Sequence, residues 1–181
     1  MKAFKTDLPG VLILRPKVHE DERGFFLESY NQKIFNQLIG RSISFVQDNH
    51  SKSSKGVLRG LHFQRNSPQA KLVRVIKGRV FDVVVDVRKS SSTFKKWIGL
   101  ELSQENKKQI WVPEGFAHGF YVLEDKTEVI YKTTDFYNPK EEKSIRWDDQ
   151  DISIDWPIDG DIEVSSKDEA GTLLKDADLP D

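Results

Sequence analysis

The stretch Leu72-Val73-Arg74-Val75-Ile76-Lys77-Gly78-Arg79-Val80-Phe81-Asp82-Val83-Val84-Val85-Asp86-Val87-Arg88 decides the fold class, because nine of its seventeen residues are valine, isoleucine or phenylalanine. β-Branched and aromatic side chains suit a pleated surface and lose rotamer freedom in a helix. Beyond Lys77-Gly78 the pattern has period two. Phe81, Val83, Val85 and Val87 fall on one face, and Asp82, Asp86 and Arg88 fall on the other with Val84. That is the mark of a half-buried strand. Lys77-Gly78 interrupts the run with a residue that enters a tight turn without steric cost, so a hairpin is predicted there.

Outward from this segment, further strands are predicted at 11–15, 25–30, 45–49, 57–64, 97–102, 109–112, 119–123 and 128–134. Turn residues such as Pro113-Glu114-Gly115 and Asn138-Pro139 separate them. Many short strands without intervening helices predict an all-β fold: a sandwich, jelly roll or barrel. One helix is predicted at 32–39, where Ile34, Phe35, Leu38 and Ile39 form an apolar stripe ended by Gly40. The stretch 165–181 has helical character around 167–174 and reads as a loosely structured tail.

The chain has 181 residues, with 28 basic and 29 acidic side chains and a net charge of −1. That length predicts one domain spanning 1–181, large enough to fold without a metal or disulfide staple. With no cysteine, a disulfide framework, a zinc–thiolate site and a thiol nucleophile are excluded, and a reducing compartment fits. The balanced charge argues against nucleic-acid binding, which needs a basic footprint. The longest uncharged stretch, Gly115 to Leu123, has nine residues, against the ~20 needed to span a bilayer. Met1-Lys2-Ala3-Phe4-Lys5 is charged where a signal peptide needs an apolar run. The expectation is a soluble cytoplasmic protein with no membrane partner.

Histidines stand at 19, 50, 62 and 118. His62 interrupts the apolar strand 57–64 and alternates against Leu61 and Phe63, so it takes either an inward polar position or an exposed one. Arg59 and Lys71 flank it in sequence, and Gly60 permits a bulge that brings Arg59 to the same side. Fixed cations disfavour the charged imidazole, which predicts a neutral ring able to act as a base. His118 ends the turn Pro113-Glu114-Gly115-Phe116-Ala117-His118. This Pro-x-Gly-x-x-His pattern, with Gly56 ahead of His62, resembles the paired motifs of the cupin superfamily, which are jelly-roll barrels. Metal-binding cupins continue His-x-His and then a glutamate. Here Gln64 takes the second place and no glutamate lies between His62 and Gly78. Two ligands remain where a metal site wants at least three, so no metal is expected.

Six segments in order carry a closer resemblance: Asp21-Glu22-Arg23-Gly24-Phe25-Phe26-Leu27-Glu28-Ser29-Tyr30; Phe45-Val46-Gln47-Asp48-Asn49-His50-Ser51; Val57-Leu58-Arg59-Gly60-Leu61-His62-Phe63-Gln64; Lys71-Leu72-Val73-Arg74; Val112 through Phe120; and Tyr131-Lys132-Thr133-Thr134. Together they resemble the dTDP-4-dehydrorhamnose 3,5-epimerases, from about Leu12 to Asp168. The resemblance implies a cupin-type jelly-roll barrel with a few short helices. It also implies proton transfer on a dTDP-linked 4-keto-6-deoxy sugar without metal or organic cofactor, producing the L-rhamnose precursor.

By that resemblance His62 is the base, Tyr131 the acid and Lys71 the cation that steadies the enolate oxygen. Asp168 is the carboxylate that pairs with the histidine, although the residue alone looks like a surface acid or helix start. Arg23 and Arg59 suit a diphosphate, since a guanidinium forks onto two oxygens. Phe26 is assigned to stack on thymine, while Glu28, Gln47 and Asn49 read its polar edge or the sugars. His118 is assigned to the sugar pocket as a hydrogen-bond donor, and Glu142 and Lys167 to further ligand contacts. The family's homodimers exchange strands, which implies that contacts from Arg23 to Glu28 reach the neighbouring subunit's site. Competing readings are a 3-epimerase or ketoisomerase on the same substrate, a metal-dependent oxygenase, and a non-catalytic sugar-nucleotide binder.

Overall fold

Lys77-Gly78 is a corner between two sheets rather than a hairpin. In the computed structural model, which describes residues 1–181, β7 (Lys71–Lys77) and β8 (Arg79–Asp86) do not pair with each other. β7 lies in a six-stranded sheet between β10 (Gln109–Val112) and β12 (Thr127–Thr133). β8 lies in the facing sheet between β9 (Trp97–Ser103) and β11 (Phe116–Val122). Gly78 makes the corner with φ +70°, and a Cβ there would lie 2.2 Å from Thr127 Oγ1. The sequence signals a turn in either case; which sheet the next strand joins is decided by packing.

The first sheet runs β1 (Lys2–Lys5), β2 (Leu12–Arg15), β10, β7, β12, β5 (Gln47–Ser53). The second runs β13 (Glu142–Ser144), β6 (Val57–Gln64), β11, β8, β9, with β14 (Glu163–Val164) parallel to β6. β3 (Val18–Asp21) and β4 (Gly24–Leu27) form a separate two-stranded hairpin. The two large sheets pack face to face as a jelly roll, and both inner faces are apolar at one end. Val73, Val75, Ile110 and Val129 meet Val80, Val84, Leu102 and Val122 there. At the other end the inward positions turn polar, and that change opens the site described below.

β8 is buried on both faces, which corrects the half-buried expectation. Val83, Val85 and Val87 turn away from the sandwich interior, yet each is fully buried. They pack under Ile145, Ile152, Trp156, Leu174 and Leu179 from the C-terminal part of the chain. The segment read as a loose tail is therefore a third layer. It carries α2 (Ser166–Glu169) and a 3-10 turn, Leu174–Asp176. The Asp149 carboxylate ties the layer together by accepting the backbone N–H of Leu174 at 2.8 Å and of Ile152 at 3.2 Å. Its apolar residues follow no helix or strand period, so pattern alone leaves it unstructured.

α1 (Gln32–Ile39) forms where predicted, capped by the Asn31 side chain and closed by Gly40 at φ +79°. Its Phe35 packs on Trp111 of β10 at 5.2 Å, covering the outer face of the first sheet. β5 begins two residues later than expected and extends to Ser53. Its inner face is polar, so it lacks the alternation that marks other strands. β4 ends at Leu27, short of the predicted Tyr30, while β1, β3, β13 and β14 are too short to leave a sequence period. No helix is long and apolar enough to cross a membrane.

Candidate active site

Two neighbouring strands of the second sheet bring two histidines side by side. His62 of β6 is the cross-strand partner of His118 of β11. The register slips by one residue between this pair and Arg59↔Phe120, so the bulge expected at Gly60 is present. Leu61 and Phe63 are buried under the C-terminal layer, which leaves His62 pointing inward. It lines a cavity of about 300 Å³ together with Arg59, Lys71, His118 and Tyr131.

Asp168 reaches His62 from 106 residues downstream, with Oδ1 2.5 Å from Nε2. An ionised carboxylate can only accept, so this ring nitrogen donates and the other is left free. Asp168 Oδ2 also accepts the Gly60 N–H at 3.3 Å. Burial pushes the Asp168 carboxyl up, but the hydrogen bonds and charge of His62, with the Gly60 N–H, outweigh it and hold the group below its ordinary value. Ser165 sets the geometry by capping α2, its Oγ accepting the Asp168 N–H at 3.2 Å. The ring's direct partner is thus a carboxylate, and the flanking cations are not alone in setting its electrostatics.

The opposite sheet supplies Lys71 and Tyr131. Lys71 is 9% exposed, and burial lowers its ammonium to about 8, with Glu142 and Asp82 pulling the other way. Its Nζ donates to the His62 carbonyl at 3.4 Å. Burial first, then the charges of Glu142 and Tyr137 against that of Arg59, raise the Tyr131 hydroxyl above its usual range. A raised phenol keeps its proton at neutral pH and has it available to give.

At the rim, Glu142 accepts the Tyr137 hydroxyl at 2.6 Å and pairs with Lys167. Burial raises the Glu142 carboxyl, but these two partners and the charge of His62 bring it below the ordinary value. Gln47 donates to Asn49 at 2.9 Å and accepts the Tyr137 N–H at 3.0 Å. Gln64 stands where metal-binding cupins carry a second histidine. Its amide donates to the carbonyls of Ser67 and Phe136 and its oxygen accepts the Asn138 N–H. That side chain pins the loop carrying Tyr137. No group of three or more histidine, cysteine or carboxylate side chains is arranged to hold a metal.

Arg23, Phe26 and Glu28 do not join this cavity within the chain. Arg23 pairs with Asp21 at 2.5 Å, with its side chain 89% exposed. Phe26 is 71% exposed, and Glu28 accepts from Asn31 at 3.1 Å. Arg59 does line the cavity and donates to Ser53 Oγ at 3.1 Å. Sequence reasoning missed Asp82, Tyr137 and Ser165. Asp82 sat on the supposed solvent face of β8, and Tyr137 and Ser165 lie in loops without period.

The family model for dTDP-4-dehydrorhamnose 3,5-epimerase matches residues 5–176. A dTDP-4-dehydrorhamnose 3,5-epimerase of Shigella flexneri is 57% identical over 179 residues, covering 98% of both chains. A crystal structure of dTDP-6-deoxy-D-glucose-3,5-epimerase from Legionella pneumophila, in complex with dTDP-4-keto-L-rhamnose, superposes with a TM-score of 0.97. It is 49% identical and covers 99% of this chain and 97% of its own. ChmJ, a 3'-monoepimerase from Streptomyces bikiniensis in complex with dTDP-quinovose, gives 0.92 at 32% identity over 97% of this chain and 91% of its own. Fold, length and the run of matched sequence agree, and the chain belongs to the dTDP-4-dehydrorhamnose 3,5-epimerase family.

Proposed function

We propose that this protein, as a single domain over residues 1–181, converts dTDP-4-dehydro-6-deoxy-D-glucose to dTDP-4-dehydro-L-rhamnose. One observation carries the reading: a carboxylate-oriented histidine on one sheet faces a protonated phenol and a buried ammonium on the other. A sugar ring lying between them meets a base on one side and an acid on the other. His62 takes the proton from a carbon beside the ketone, the C–H electrons move onto the ketone oxygen, and Lys71 holds that oxygen's charge. Tyr131 then gives its proton to the opposite face of the carbon, and the two side chains re-equilibrate with solvent. Repeating the cycle at the other carbon flanking the ketone inverts both. The ketone is itself the electron sink, so the steps balance without a redox partner.

The same proposal makes the protein a cytoplasmic homodimer. β5 is the last strand of its sheet and β3–β4 pairs with neither large sheet, while Phe25 and Phe26 stand exposed on that hairpin. A hairpin lent to a second copy would bring Arg23, Phe26 and Glu28 toward Gln47 and Asn49. NMR in heavy water with the 4-keto sugar nucleotide tests the chemistry. Deuterium entering at carbons 3 and 5 with an L-configured product supports the reading. Exchange at carbon 3 alone makes it a mono-epimerase, and tight binding without exchange makes it a binding module.

A further inference from the structure

Two acidic side chains of β8 are completely buried, and they differ in what surrounds them. Asp86 is saturated with donors from Arg88, Ser91 and Thr93, which staple a loop. Asp82 hydrogen-bonds one group, His118 Nε2, at 3.0 and 2.9 Å from its two oxygens. Its strand neighbours Val80 and Val84 belong to the apolar core, and Leu100 and Phe120 stand opposite it. A carboxylate among such neighbours is costly to bury, and an apolar side chain would serve the core better. Packing gives no reason for a charge at Asp82; what it serves are the buried Lys71 ammonium, whose charge it supports, and His118, one hydrogen bond away and lining the cavity.

We propose that Asp82 is a positioning residue that locks His118 with its hydrogen on Nε2, so that Nδ1 meets the sugar as an acceptor for a hydroxyl beside the ketone, in place of the donor role that the family resemblance implied. This deepens the epimerase reading and rests on the sugar occupying the cavity. The logic is donor accounting. An ionised Asp82 can only accept, so Nε2 must donate. Lys71, Arg59 and Lys167 have donors and no acceptors, and Asp168 and Glu142 are already engaged by His62 and by Lys167 with Tyr137. Hydroxyl groups such as that of Ser51 apart, the neutral acceptors left in the cavity are the free ring nitrogens of His62, which is the base, and of His118. A hydroxyl enclosed here without an acceptor would lose its hydrogen bond to water and regain none. Nδ1 of a His118 locked by Asp82 supplies that acceptor and fixes how the ring lies between His62 and Tyr131.

The test is nitrogen NMR of the full chain with labelled histidine. In the wild type, His118 is expected to show a protonated Nε2 and an unprotonated Nδ1, and dTDP-glucose, but not dTDP alone, should move the Nδ1 resonance. Asp82→Asn keeps an acceptor oxygen and should keep both the tautomer and most of the turnover. Asp82→Leu should mix the tautomers and lower kcat/KM by about a hundredfold, the cost of misplacing a reacting group, with KM raised because the enclosed hydroxyl loses its acceptor. A protonated Nδ1 in the wild type, or wild-type turnover in a folded Asp82→Leu, overturns the proposal. The tautomer is read without substrate, so a wild type inert toward the sugar nucleotide would sink the epimerase reading by a separate route.

Discussion

Lys71 sets stability against chemistry within one side chain. Burial lowers its ammonium from 10.5 to about 8, whereas in the unfolded chain it titrates near ~10.4. Between those values the unfolded state holds more protons, so this group's contribution to stability improves as pH rises through the window. Activity is expected to move the opposite way, falling as pH climbs past about 8, because a neutral amine no longer steadies the enolate oxygen. Lys71→Met should therefore raise Tm, abolish that alkaline limb and lower kcat by roughly a hundred- to thousandfold, the loss typical of one preorganised donor. A pH–rate profile beside thermal melts checks both signs. His62→Ala should cost roughly a hundred- to ten-thousandfold in turnover with an unchanged melt, and near-normal turnover would remove the mechanism. At this scale the sequence exposes His62, because a histidine breaks an apolar strand. Asp168 and Tyr131 stood out only through the family resemblance, since their neighbours in space are far away in the chain. Asp82 carried no signal, because a charge alternating with valines looks the same whether it faces water or the interior.

Two strands carry the site, and their spacing depends on a pair of glycines. A Cβ at Gly119 would lie 2.6 Å from the Arg59 carbonyl and 3.2 Å from Gly60 Cα. Gly119→Ala must push β6 away from β11 just where His62 faces His118. It should cost about 1–3 kcal/mol, as overpacked positions do, and lower turnover. Urea unfolding and deuterium incorporation measure the two effects, and an alanine variant unchanged in both would refute the argument. The central strands were legible for the reason that makes β6 rigid: apolar runs bounded by turn residues. β6, β10 and α1 begin and end where the sequence puts them. What pattern could not supply was partnership. Gly78 marks a turn equally well whether the chain folds back in one sheet or crosses to another, and the packing of the two sheets decides. β5 was misplaced because its inner residues, Gln47, Asn49, Ser51 and Ser53, serve the polar end of the sandwich. The C-terminal layer escaped because Ile145, Ile152, Trp156, Leu174 and Leu179 bury one by one against valines of β8 with no repeat of their own.

The whole molecule presents a cavity with its proposed catalytic groups assembled and its proposed nucleotide contacts divided. Arg59, Lys167 and Gln47 surround the site, whereas Arg23 and Phe26 stand on a hairpin that one chain leaves in solvent. A lone two-stranded hairpin is marginal in water, and two adjacent exposed phenylalanines on it are hard to explain unless something covers them. A second copy satisfies both conditions if hairpins are exchanged. Light scattering should then report a dimer, and a double substitution of Phe25 and Phe26 by serine should shift it toward monomer while weakening dTDP binding. Mixing distinguishes exchange from simple association. A His62→Ala protomer lacks the base but keeps its hairpin; an Arg23→Ala, Phe26→Ala protomer keeps the base but lacks hairpin contacts. Each homodimer should be nearly inactive. In a mixed dimer with exchanged hairpins, the intact hairpin meets the intact His62 at one of the two sites, and the other site carries both defects. Unfolding and refolding the two variants together should therefore restore activity well above their sum. If each hairpin served its own chain, no combination would reunite an intact base with intact contacts, and the mixture would remain as inactive as its parts.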